Sequence, residues 1–149
     1  MVELVATLFI TASSVVLFAY WFRYTCLLIL SAKTARDYAA TVVHANRLGF
    51  LEVQAQLKQS SAPNLDRLRA ALDQDYRVVQ NLLKHMPQSG EGQSLETRML
   101  AVNYKLMRAW YGISSRFSVS TAARALGEMS MVVSHFANVM GEQAATAAA

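Results

Sequence analysis

One cysteine, two prolines and six glycines are all that this 149-residue chain holds of the residues that staple, break or loosen a backbone. With Cys26 the single cysteine, an intramolecular disulfide framework is excluded. So few prolines and glycines argue against many-stranded β structure, with its frequent turns, and favour long helices. Charge is sparse too: charged residues make up 16% of the chain, against roughly 25% in an ordinary soluble domain. The shortage is concentrated in the first 30 residues, where only Glu3 and Arg23 are charged. The remaining 119 residues carry 13 Lys/Arg and nine Asp/Glu, so the whole net charge of +4 resides there.

Motifs that carry chemistry are missing as well. A di-iron carboxylate bundle needs two Glu-x-x-His pairs on inward faces, and none occurs. There is no Cys-x-x-Cys-His haem-attachment sequence, no Gly-x-Ser-x-Gly nucleophile elbow and no glycine-rich phosphate loop. His44, His85 and His135 fall on separate helical stretches. Cys26 has no histidine near it in sequence to act as a base. No catalytic residue, metal ligand or cofactor is expected. A buried His or Met could still serve as an axial ligand, which keeps a haem-type redox membrane protein as an alternative reading.

What the chain does contain begins with an apolar run. Leu4 to Phe22 are uncharged. As a helix, these residues extend about 28 Å, close to the ~30 Å hydrocarbon core of a bilayer. Glu3 then marks one interface and Arg23 the other, with Tyr20, Trp21, Phe22 and Tyr24 as an aromatic belt around the arginine. A register shifted to Ile10–Leu30 would bury Arg23 in hydrocarbon at a cost of roughly 2.5–3.5 kcal/mol. No basic segment precedes the run and no A-x-A site closely follows it, so it reads as an uncleaved anchor. Lys and Arg occur only on its C-terminal flank, at Arg23, Lys33 and Arg36. The positive-inside rule then places the N-terminus outside and the C-terminal domain in the cytoplasm. Leu27, Leu28, Ile29 and Leu30 extend the apolar run beyond the span, where they would pack or contact another membrane protein.

The rest has helical periodicity. An uneven helix is expected over 31–60, interrupted near Gly49, then a turn at 60–64 with Asn64 as the next N-cap. Leu65, Leu68, Leu72, Tyr76, Val79, Leu83 and Met86 form a clean apolar stripe. Asp66, Arg69, Asp73 and Arg77 beside it read as a solvated salt-bridge ladder. After a loop at 87–94, Leu95, Met99, Val102, Leu106, Trp110, Ile113 and Phe117 recur every three or four residues and are expected to face a core. Ser120 is the expected cap of a last helix carrying Ala122, Leu126, Met129, Val133, Phe136 and Met140. The Ala-rich tail, 143–149, is expected to fray.

The predicted fold is all-α: one N-terminal transmembrane helix within an anchor at 1–30, then an antiparallel bundle of about four helices over 31–142. One further feature concerns charge. No acid occurs from Thr97 to Gly127, while Arg98, Lys105, Arg108 and Arg116 share a wedge about 80° wide on a helical wheel. This basic face is a candidate contact for anionic lipid or an acidic partner, unless its cations pair with acids on neighbouring helices. Nucleic acid is not an expected partner, given the modest charge and the absence of a recognition motif. The sequence reads best as a non-enzymatic membrane protein, an accessory subunit, adaptor or scaffold. Its expected partners are membrane lipid and another membrane protein. A self-assembling homo-oligomer is the further alternative.

Overall fold

The computed structural model describes residues 1–32, 36–59, 64–87 and 91–149, with the side chains of 91–93 left aside. Lys33, most of the turn at 60–64 and residues 88–90 of the expected loop lie outside that description. The described residues are all-α, with six helices and no strand: α1 (Val2–Ser31), α2 (Ala39–Asn46), α3 (Phe50–Gln59), α4 (Leu65–His85), α5 (Glu91–Ser114) and α6 (Val119–Ala148). Two compact units emerge, Met1–Lys33 and Thr34–Ala149.

The first unit is α1 alone. Its mean hydropathy of 2.1 and its 30 residues make it long and apolar enough to cross a membrane. The helix continues through Arg23 without a break. Several of its hydroxyl groups are satisfied internally. Thr7 donates to the Glu3 carbonyl, Thr11 to Thr7, Ser14 to Ile10 and Thr25 to Trp21, each bond 2.8–2.9 Å long. A polar side chain in hydrocarbon requires such a partner, and the carbonyl four residues back is the nearest one.

In the second unit α6 is central and contacts α2, α3, α4 and α5. Ala122, Leu126, Met129, Val133, Phe136 and Met140 are all buried, as their spacing predicts, and Ala125, Val132, Ala137 and Val139 are buried beside them. A helix covered on several sides needs apolar residues beyond one stripe. Small residues also let neighbours come close. A Cβ placed on Gly141 would collide with the Tyr38 side chain, so only glycine permits this approach of α2 to α6.

The uneven helix expected to be interrupted near Gly49 is two separate helices, α2 and α3. α2 ends at Arg47, which takes a left-handed conformation with φ 54°. The chain turns through Leu48 and Gly49 before α3 begins. Asp75 of α4 secures that turn, its Oδ2 accepting from the Gly49 N–H at 2.8 Å. Asp75 therefore supplies an N-terminal cap for α3 from another helix, which the α3 sequence itself lacks. Asn64 caps α4, accepting from the Arg67 N–H. The cap of α6 is Ser118, which accepts from the Thr121 N–H, two residues earlier than expected. α5 begins at Glu91, so Ser94 lies inside its first turn rather than before it. The tail does not fray at 143: α6 runs to Ala148, consistent with alanine's high helix propensity.

Candidate functional site

α5 is turned opposite to the expected orientation. Its buried face is Leu100, Asn103, Tyr104, Met107, Tyr111 and Ser114. The stripe expected in the core points outward. Leu95, Val102, Leu106, Trp110, Ile113 and, just beyond the helix, Phe117 are between 45% and 83% exposed. From Leu95 to Ile113 these side chains fall within an arc of about 80° along a strip about 27 Å long. Trp110, expected in the core, stands near the C-terminal end of the strip, 46% exposed.

The reason lies on α4. Tyr104 donates its hydroxyl to Asp73 at 2.9 Å, and Tyr111 donates to Asp66 at 2.9 Å. The tyrosines are seven residues apart, as are the aspartates, and the two helices run in opposite directions. One antiparallel register therefore satisfies both pairs. Arg108 adds a charged bond from Nε to Asp73 Oδ2 at 2.9 Å. Asn103 donates to Glu128 of α6 at 2.9 Å. The Tyr104 ring stacks flat on Tyr76, centroids 3.8 Å apart, and Arg69 lies over the Tyr111 ring. A buried tyrosine contributes as much apolar surface as leucine but requires a partner for its hydroxyl. Here that requirement, and not the apolar stripe, selects which face of α5 is buried.

The expected ladder on α4 is thus largely an interhelical contact. Of its members only Arg69 and Asp73 approach as an i,i+4 pair, at 3.8 Å. Burial and the nearby Asp73 carboxylate push the Tyr104 hydroxyl far above its ordinary range. Burial and the bond to Asp66 push Tyr111 up to about 12. Both therefore remain protonated donors at physiological pH. The hydrogen bond to Asp73 raises Arg108, which stays charged.

The four cations of the basic wedge divide. Arg108 is held by Asp73. Arg98, Lys105 and Arg116 are exposed, and among the described residues none of them has an ion-pair partner. On the wheel, Arg98 and Lys105 flank one edge of the apolar strip, and Arg116 lies in the turn after it. Glu96 is at the opposite edge, where its charge acts on His135 of α6.

In α1, Tyr20, Trp21 and Tyr24 are exposed, with Phe22 and Arg23 between them. Phe18 approaches Trp21 and Phe22, and Tyr20 stacks on Tyr24, at centroid distances of 6.1–6.5 Å. Leu27 and Leu28 are exposed, Ile29 and Leu30 partly so. The second unit also has an apolar groove of about 570 Å³ where the ends of α4 and α6 meet α2, lined among others by Tyr38, Val42, Leu82, His85 and Met140. His85 is hydrogen-bonded through Nδ1 to the Asn81 carbonyl oxygen. Among the described residues no three His, Cys, Asp or Glu side chains converge as metal ligands would. No family model, curated protein sequence or solved structure matches the chain.

Proposed function

We propose that the chain is a non-enzymatic, single-span membrane protein whose helical bundle serves a membrane assembly as accessory subunit, adaptor or scaffold. The exposed face of α5 positions the bundle within that membrane setting. The observation that carries this reading is the outward apolar strip of α5. An ordinary soluble domain scatters its exposed apolar residues singly, whereas a contiguous strip edged with charge marks an interaction surface. In this reading Leu4–Phe22 lie in hydrocarbon, and Arg23 with its aromatic neighbours sits at the membrane edge. The N-terminus is outside and the bundle is cytoplasmic. The internally bonded hydroxyls of α1 support the span, and the cations that follow it support the orientation.

The test is extraction of native membranes into polymer-bounded lipid particles, followed by mass analysis of what accompanies the chain. The expected result is an assembly with defined other subunits, depleted when Trp110→Asp and Ile113→Asp are combined. A chain found alone, unaffected by the double substitution, contradicts the proposal.

A further inference from the structure

We propose that the outward face of α5 lies flat on an anionic lipid surface, with its apolar strip in the headgroup–acyl boundary and Arg98, Lys105 and Arg116 at the headgroups. This deepens the reading above by naming what covers the α5 face, and it rests on α1 crossing the membrane.

Three observations select lipid as the occupant. The first is charge. The cations beside the strip have no partner among the described residues, and no acid occurs from Thr97 to Gly127. Each Lys or Arg held near an anionic bilayer contributes attraction that fades within a Debye length. The same charge opposes a symmetric dimer through this face, which would bring two sets of three cations together with one Glu96 per copy at the strip's other edge to set against them. The second is shape and composition. A strip about 27 Å long with Trp110 near its C-terminal end, Phe117 just beyond that end and a basic edge has the make-up of a helix that lies in a membrane interface. The third is reach. α1 ends at Ser31 and α2 begins at Ala39, so seven residues, 32–38, join the two units. At full extension they cover at most about 25 Å, which keeps the bundle beside the bilayer at high effective concentration.

The chain has two tryptophans, Trp21 and Trp110. In the full-length Trp21→Phe protein, Trp110 is the sole reporter. The experiment reconstitutes this protein into phosphatidylcholine vesicles with or without phosphatidylglycerol, using lipids brominated on the acyl chain, and records quenching of Trp110 emission. Quenching is expected with phosphatidylglycerol and is expected to weaken without it. Replacing Arg98, Lys105 and Arg116 together by Gln should lower the lipid-bound to free ratio by on the order of a hundredfold. These three side chains are exposed and bond to no described neighbour, so the helical circular-dichroism signal should not change.

Absence of quenching with phosphatidylglycerol overturns the proposal. So does equal quenching in pure phosphatidylcholine, or quenching that survives the triple substitution. An unquenched Trp110 accompanied by cross-links between copies assigns the face to a second copy instead. The two readings fail separately. A chain that co-purifies with a defined assembly while Trp110 stays unquenched loses only the lipid assignment. A chain found alone but quenched loses only the accessory role.

Discussion

Tyr104 and Trp110 are six residues apart on one helix and have opposite fates, which makes them the sharpest pair for stability measurements. Tyr104→Ala removes a buried ring and the donor to Asp73, and should cost about 3–5 kcal/mol in urea unfolding. Trp110→Ala removes a larger ring from an outward face, and should cost no more than about 1 kcal/mol. The opposite order would mean that α5 buries its apolar stripe. Asp75 is the second informative residue. Asp75→Ala strands the Gly49 N–H at the start of α3 and should cost about 1–3 kcal/mol. Burial raises the Asp75 carboxyl above its ordinary 3.8, although the N–H groups of Gly49 and Phe50 pull it back. The folded state therefore takes up this proton first as pH falls, so Asp75 adds stability on acidification toward 3.8. His135 acts the other way. Burial lowers it below 6.5, against a smaller upward pull from Glu96. Below pH 6.5 the unfolded chain binds this proton first, so stability is lost as pH falls through the folded value. Stability curves for His135→Gln and Asp75→Asn should lose these slopes, in opposite senses; unchanged curves would show that neither group is coupled to folding.

At the scale of the element, the α4–α5 contact is made by long side chains and not by close backbone approach. A double-mutant cycle on Tyr104→Phe and Asp73→Asn should give a coupling of about 0.5–3 kcal/mol. Additive losses would show that the tyrosines do not set the orientation of α5. Periodicity made α4 and α6 legible in the sequence because a single apolar stripe, or a largely apolar helix, leaves no choice of face. α5 offers two candidate faces, one of Leu, Val, Ile and Trp, the other of Leu, Met, Tyr and Asn. Hydropathy ranks the first higher, but the partners that favour the second are on α4, 31 to 45 residues away. The matched spacing of Tyr104/Tyr111 and Asp66/Asp73 was the available signal. The break between α2 and α3 was legible at Gly49, but the residues that make it were not. Its left-handed residue is Arg47 and not a glycine, and the cap of α3 comes from Asp75. The basic wedge was legible as a pattern, but its division was not, because Arg108 pairs through tertiary contact. Between α2 and α6, Gly141→Ala should cost about 1–3 kcal/mol, because Tyr38 must move. A neutral result would mean that the helices separate freely there.

At the scale of the molecule, a helix with the length and composition of a membrane span is joined by a short connection to a bundle with an exposed apolar strip on α5. Each part leaves apolar surface that water alone does not stabilise, and a single membrane would cover both. The α5 face should then be covered in the native setting. Ile113→Cys in a Cys26→Ser background measures this with a water-soluble maleimide, and Lys84→Cys, exposed on α4, serves as the reference. Open fragments of native membrane present both sides to the reagent. The account predicts that Lys84→Cys labels in these fragments while Ile113→Cys is protected until the protein is unfolded. Equal labelling at the two positions in folded protein would show a bare α5 face and contradict it.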